Sequence, residues 1–230
     1  MSGDNEPASG AADKSADHRR PDVFLNCPFD EQYLELFEAC VFTIYVAGYA
    51  PCCALSEDDF GNIRLDKLRR MIEACDLTIH DLSRTGAGAA GFARLNMPFE
   101  LGMAIGAKFY GDTRQRQKRI LCIVEQRFEM PKFLSDVAGN DPSEHGRDPR
   151  IAIKLVRNWL LVTPGGERLI GPSKIAAFFA TFKSSFPKIL SNAGLKPNEI
   201  NSFDGHYGDF LAVLEDWVRA AQPRLTVSVK

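Results

Sequence analysis

The feature that most constrains this chain is the alternation of short apolar segments with amphipathic ones between Asp22 and Gln126. Strand patterns are predicted over residues 23–27, 49–55, 76–82 and 119–125, and segments with helical spacing of apolar residues lie between them. Strands separated by helices of this length pair in parallel through right-handed crossovers. We therefore predict a flavodoxin-like, three-layer α/β fold over residues 22–140, with helices on both faces of a parallel sheet.

The two ends of the chain have different patterns. Residues 1–21 contain no large apolar side chain after Met1 and lack the apolar core of a signal peptide, so we expect a disordered tail. After residue 140 the strand signal fades. Helices are expected to begin at Pro149, Pro172 and Tyr207, the last of them ending near Ala220. Residues 141–230 are thus predicted to form a C-terminal helical region.

Charge and composition exclude several classes of partner. The net charge is only −2, so the basic stretch at residues 114–119 is interpreted as a solvated connector and nucleic-acid binding is not expected. No apolar run reaches the length of a membrane span, so no membrane partner is expected either.

Six cysteines without a secretion signal indicate reduced thiols in a cytoplasmic protein, and none is spaced for a metal site. Assembly into a homo-oligomer is left open.

Ligands of parallel α/β sheets bind beyond the carboxyl ends of the strands. This rule selects residues 26–30, 56–64 and 81–96 and the loop after Glu125. From these segments we take Asp81 and Glu100 as candidate catalytic residues, although Asp81 could instead cap its loop. The candidate substrate-binding residues are Asn26, Pro28, Phe29, Ser56, Ser83 and Asn96.

Glu100 is the most informative candidate. Pro98 suits a first helical turn, which places Glu100 in that turn or just after it, where the helix N-terminus should keep the carboxylate ionised. Gly102 is expected to allow close packing against the sheet. A fixed carboxylate in a cleft suits glycosidic cleavage, because it can stabilise or attack an oxocarbenium-like sugar. The alternative is that Glu100 only satisfies the start of its helix.

Three motifs carry a family resemblance: Asp22-Val-Phe-Leu-Asn-Cys-Pro-Phe29, Cys75-Asp-Leu-Thr-Ile-His-Asp-Leu-Ser83 and Asn96-Met-Pro-Phe-Glu-Leu-Gly-Met-Ala-Ile-Gly106. Together they resemble the nucleoside 2-deoxyribosyltransferases and, equally, the bacterial TIR-like nucleotide-binding domains. The resemblance implies N-glycosidic chemistry on a nucleoside, a nucleotide or NAD, with NAD as a substrate and no separate cofactor. It also implies a possible role in bacterial defence or stress.

The resemblance assigns roles to four of the candidates. Glu100 would be the nucleophile or oxocarbenium stabiliser, and Asp81 would orient the sugar or base. Phe29 would line the base or ribose pocket, and Asn96 would bind near the sugar. The link between the third strand and the glutamate helix, residues 83–95, is longer than in the transferases, which leaves the substrate open.

Other features keep two interpretations. The Gly86–Gly91 segment has dinucleotide-loop spacing but follows the third strand, so a flexible loop is the alternative to a phosphate cradle. The acidic residues 57–59 could bind a metal or ribose, or form a solvated turn. Arg64 and Arg84 could contact a phosphate or be surface charges. His80 could be a satisfied buried histidine or a proton shuttle. Besides an enzyme, the chain could be a non-catalytic nucleotide-sensing module or an interaction scaffold.

Overall fold

The structure is a computed structural model, and it describes residues 20–57, 61, 63–84, 95–127, 134, 140–163, 169–194, 203 and 207–225. Three sequence predictions therefore lie outside the described residues: the N-terminal tail up to residue 19, the acidic pair Asp58 and Asp59, and the Gly86–Gly91 loop.

The centre of the fold is a five-stranded parallel sheet. Its strands are β1 (Asp22–Asn26), β2 (Ala50–Cys52), β3 (Leu77–Asp81), β4 (Arg119–Val124) and β5 (Ser143–Glu144). The strand order is β2-β1-β3-β4-β5, which is the flavodoxin-like order. The predicted three-layer parallel fold is confirmed. The sequence missed β5, because two polar residues contain no apolar period.

Six α-helices are described: α1 (Leu34–Val46), α2 (Arg64–Ala74), α3 (Asn96–Tyr110), α4 (Pro149–Leu161), α5 (Pro172–Asn192) and α6 (Tyr207–Leu225). The predicted starts at Pro149, Pro172 and Tyr207 are confirmed, although α6 ends five residues later than expected. The start of α4 is fixed by the Asp148 carboxylate, which accepts a hydrogen bond of 2.8 Å from the Arg150 backbone N–H.

The two faces of the sheet are covered by different helices. Val23 and Leu25 of β1 belong to the larger core cluster, which α1, α4, α5 and α6 complete. Phe24 points to the opposite face and packs with residues of α2 and α3. This alternation is the period of two that a buried strand imposes, and it decides which side chains can meet at the sheet edge.

The C-terminal helices share the large core with the sheet. Phe42 of α1 contacts Phe179 and Phe182 of α5 and Trp217 of α6, with ring centroids 5.5 to 5.8 Å apart. The Tyr207 hydroxyl donates a hydrogen bond to the Pro51 carbonyl in β2. Residues on both sides of position 140 therefore contribute to one continuous hydrophobic cluster.

Two glycines behave differently. Gly48 follows α1 with φ of 90°, a conformation that glycine adopts without strain, and it ends the helix as predicted. Gly102 is exposed and has open space where a Cβ would lie, so the expected close packing against the sheet is wrong.

Among the described helices, none combines the length and apolar character needed to cross a bilayer.

Candidate functional site

The strand order predicts a crevice beyond the carboxyl ends of β1 and β3. The chain leaves β1 toward β2 on one side and later returns to β3 on the other side, so the connections diverge at this pair. Ligands of such sheets bind at the carboxyl ends of the strands where the order reverses. The residues that follow β1 and β3, together with the start of α3, therefore form the candidate site.

Glu100 is the fifth residue of α3, in its second turn, and only 4% of it is exposed. Its carboxyl makes no hydrogen bond to any residue in the described part of the chain. Burial raises the pKa of Glu100 from 4.5 to about 7, and the Arg64 guanidinium partly opposes this rise. The helix N-terminus therefore does not hold the pKa of Glu100 in its ordinary range, because desolvation outweighs it, and near pH 7 about half of these carboxyls are ionised.

Asn26 fixes the first turn of the helix that bears Glu100. Its side-chain amide donates a hydrogen bond of 2.9 Å to the Met97 carbonyl in α3. The same nitrogen lies 3.0 Å from His80 Nδ1 on the neighbouring strand. Both contacts are buried, so Asn26 ties the end of β1 to β3 and to α3 at once.

His80 is neutral at physiological pH. Burial lowers its pKa to about 3, and the nearby Lys118 ammonium adds to this effect. Because Nδ1 accepts from Asn26, the ring proton is assigned to Nε2, which is buried and has no partner among the described residues. His80 is thus buried, as expected, but only one of its two nitrogens is satisfied.

Asp81 lies at the end of β3 and is fully buried. Its Oδ1 accepts a 2.7 Å hydrogen bond from the Ser83 backbone N–H. Its Oδ2 accepts from the Tyr33 hydroxyl and lies 3.0 Å from His145 Nε2. Both oxygens of the carboxylate are therefore engaged by protein groups.

Asp81, Ser83 and His145 do not form a nucleophilic triad. Ser83 Oγ lies 2.9 Å from His145 Nε2, which is the same nitrogen that contacts Asp81. His145 Nδ1 accepts from the Arg147 backbone N–H, at 3.1 Å. A relay needs the serine and the aspartate on opposite nitrogens of the ring. The arrangement instead ties the end of β3 to the segment after β5.

The thiol of Cys27, which directly follows β1, lies close enough to Asp81 and Glu100 to be affected by the charges of both. Burial is the main cause that raises the pKa of its thiol, and the charges of Cys53, Asp81 and Glu100 add to it. Asp81 and Glu100 share no hydrogen bond within the described residues, but both act on this thiol. The raised pKa keeps Cys27 protonated, which does not suit a nucleophile.

The other predicted substrate-binding residues are spread around the edge. Pro28 is buried, and the half-buried Phe29 packs edge-on against Phe37 and Phe203. Ser56 is exposed, and its hydroxyl accepts from the Cys53 backbone N–H in the turn after β2. Asn96 is exposed at the first position of α3.

Sequence reasoning missed four residues at this edge: Gln32, Tyr33, His145 and Arg147. Gln32 and Tyr33 lie two and three residues after the selected segment 26–30, so a wider window would have included them. His145 and Arg147 fell in the region assigned to helices, and their only signal was the Pro149 helix start a few residues later.

Three cavities are lined by described residues. The largest, about 1000 Å³, lies between α1, α4 and α5. Cavities of about 400 and 300 Å³ adjoin α3, against β4 and against α2 respectively. Glu100 lines none of these three, and the segments that follow β2 and β3, residues 58–60 and 85–94, are outside the described part. Within the described ranges, no group of three or more His, Cys, Asp or Glu side chains could hold a metal ion.

Comparison with known proteins found no match to a family model, to a curated protein or to a solved structure.

Proposed function

We propose that this protein cleaves or transfers the N-glycosidic bond of a nucleotide-type substrate, with NAD hydrolysis as the first reaction to test and Glu100 as the catalytic carboxylate. One observation supports this above the others. Glu100 is only 4% exposed, its carboxyl has no hydrogen-bond partner in the described residues, and it lies close enough to Cys27 after β1 to act on that thiol. Burial raises its pKa to about 7. Strongly perturbed carboxyls beside a cleft are typical of catalytic groups.

Glu38, the other glutamate that is buried among the described residues, provides the contrast. Glu38 is also 4% exposed, but Lys183 donates a hydrogen bond to its carboxylate. A buried carboxyl without such a partner costs stability, since its charged form is poorly solvated. Glu100 has this cost with no structural gain visible in the described contacts, which favours a functional reason for it.

The proposed chemistry follows from the charges. In NAD the bond between ribose C1′ and the pyridinium nitrogen breaks, and its electron pair neutralises the nitrogen, so the departing nicotinamide needs no proton. Ionised Glu100 stabilises the oxocarbenium-like sugar, water attacks C1′, and the water proton passes to Glu100 or to solvent. The cationic ring also lowers the pKa of the adjacent carboxyl and favours the ionised form.

The remaining candidates take supporting roles in this proposal. Asn26 positions α3 and hence Glu100, through its bond to Met97. Asp81 orients the sugar or base through the hydrogen-bonded network that surrounds it. The proposed lining of the substrate site is Pro28, Phe29, Ser56, Ser83 and Asn96.

The test is an incubation of the purified protein with NAD and, separately, with nucleosides and deoxynucleosides, followed by chromatography of the released base. We expect Glu100→Gln to abolish release while circular dichroism stays unchanged. Glu31→Gln, at an exposed carboxylate, is the matched control and should retain turnover. Base release that is equal in Glu100→Gln and in the original chain would contradict the proposal.

A second candidate is a nucleotide-sensing module that binds in the same crevice without turnover. It is favoured by the state of Asp81, because glycosidic cleavage commonly uses two available carboxyls and both oxygens of Asp81 are already engaged. Tight nucleotide binding without product, equal in Glu100→Gln, would select this candidate. A TIR-type interaction role in bacterial defence or stress rests on the family resemblance alone.

A further inference from the structure

Two arginines converge on one side-chain oxygen at the carboxyl edge of the sheet. Arg84 follows β3, and Arg147 follows β5. Arg84 donates to Gln32 Oε1 at 2.7 Å, and Arg147 donates to the same oxygen at 3.3 Å. The two donor nitrogens are therefore within 6 Å of each other, since these two distances meet at one atom.

The partners of these arginines do not use up their donors. Arg84 contacts Asp30 at 3.2 Å, and Arg147 contacts Glu125 at 3.4 Å, each through one nitrogen. A guanidinium has five N–H donors in a planar fork that matches two oxygens of a carboxylate or phosphate. Asp30 and Glu125 each pair with one of the two cations, whereas their shared partner, the Gln32 amide, is neutral. An anion in the position of that amide would accept charge-assisted hydrogen bonds from both guanidinium groups, which are stronger than the bonds to a neutral amide.

Both arginines also adopt an unusual backbone conformation. Arg84 has φ of 66° and Arg147 has φ of 62°, and they are the only non-glycine residues with positive φ among those described. Side chains with a Cβ occupy this region at a cost in free energy, and such residues cluster at ligand-binding sites. A glycine would adopt this conformation without strain at either position. The arginine side chain is therefore present despite a cost in backbone free energy.

The location of the pair matches the crevice. Gln32 follows β1 and Arg84 follows β3, so their contact spans the point where the strand order reverses. The hydrogen bond from Ser83 to Asp81 places Arg84 directly after the buried network at the end of β3. The two arginines therefore lie at the edge of the sheet at which the strands end, and α3, which bears Glu100, is the next described helix after Arg84.

We propose that Arg84 and Arg147 together bind a phosphate or diphosphate group of the substrate by displacing the Gln32 amide. This inference rests on the proposed function and deepens it, because it makes the substrate class a phosphorylated nucleotide or dinucleotide and excludes free nucleosides as the preferred substrates. Paired arginines are suited to phosphate oxygens through bidentate, charge-assisted hydrogen bonds.

The test is isothermal titration calorimetry of the full chain with ADP, AMP, adenosine and inorganic pyrophosphate. We expect ADP to bind at least tenfold more tightly than adenosine. Arg84→Gly and Arg147→Gly should each weaken ADP binding by about tenfold or more, and leave adenosine binding unchanged. Glycine accepts the positive φ, so these variants should fold, and thermal unfolding checks this. Arg69→Gln, at an exposed arginine paired with Glu73, is the control.

Equal affinity for ADP and adenosine would overturn the inference, as would ADP binding that neither glycine variant weakens, or no ADP binding at all. A failure of the phosphate site can be distinguished from a failure of the proposed enzyme activity. Arginine-dependent ADP binding that Glu100→Gln retains, in a protein that releases no base, supports the phosphate site and rejects the enzyme. Base release from free nucleosides that both glycine variants retain supports the enzyme and rejects the phosphate site.

Discussion

The substitution Glu100→Gln should change how the stability of the protein depends on pH. In the folded chain the pKa of Glu100 is about 7, and its ordinary value is 4.5. The folded state therefore binds a proton more tightly than the unfolded state does. Since the folded pKa is raised, this residue's contribution to stability is fully present below about pH 4.5 and is lost as the pH rises toward 7.

The size of the effect follows from the two pKa values. A difference of one pKa unit corresponds to about 1.4 kcal/mol, so the shift of Glu100 corresponds to about 3 kcal/mol of lost stability between acid and neutral pH. Glutamine carries no titratable proton and has no such loss. The free energy of unfolding of Glu100→Gln, relative to the original chain, should therefore rise by about 3 kcal/mol between about pH 4 and pH 8.

Denaturant unfolding of the variant and of the original chain, measured at several pH values across this window, gives the difference in their free energies of unfolding. The titration of all other groups is common to both proteins and cancels in this difference. In a thermal scan the same change corresponds to roughly 6 to 12 °C in Tm for a chain of this size. The absolute stability of the variant also includes the cost of a buried amide, but that cost does not depend on pH.

Glu31→Gln serves as the control, because Glu31 is exposed and its removal leaves the burial of Glu100 unchanged. The control should give a stability difference that is nearly constant over the same pH range. If Glu100→Gln gives a constant difference as well, burial does not raise the pKa of Glu100, and the main support for its catalytic role is lost.

Three further predictions concern the same edge of the sheet. The kcat/KM for NAD should rise about tenfold per pH unit below pH 7 and level off above pH 7, because the reaction needs ionised Glu100. A kcat/KM that falls as the pH rises through 7 would instead assign Glu100 as a general acid. Asn26→Ala should lower the free energy of unfolding by about 2 kcal/mol in urea titrations, since it leaves the Met97 carbonyl and His80 Nδ1 without their donor; an unchanged midpoint would refute this. Tyr33→Phe should cost about 1 to 3 kcal/mol by the same assay, because it removes a donor from the buried Asp81, and Tyr110→Phe, at an exposed tyrosine, should cost almost nothing.

The fold could be predicted in outline because its signals are local. The strand patterns before Asn26 and Asp81 and the helix starts at Pro149 and Pro172 are short-range features of composition and spacing. The element that failed was β5, which forms only because β4 offers it a hydrogen-bonding edge. The strand order is a long-range property that no local pattern contains. It was predicted only indirectly, because the flavodoxin-like fold class implies it.

The candidate site could be located from the sequence but not described. The rule on strand ends was enough to select Asp81 and Glu100. It did not find Tyr33, which lies just outside the selected segment 26–30. It did not find His145 because this residue is 64 residues from Asp81 in sequence, a distance at which no local pattern reports contact. Separations of 52 and 115 residues likewise hid the contacts of Arg84 and Arg147 with Gln32.

The sequence by itself determined the parallel α/β framework and the place of Glu100 near the start of a helix at the carboxyl edge, since period and chain order fix both. Only the tertiary structure decided the state of that carboxyl. The helix start alone predicts an ionised group, whereas the packing of α3 removes Glu100 from water and raises its pKa to about 7. Desolvation depends on every neighbour in space, and most of those neighbours are distant in the chain.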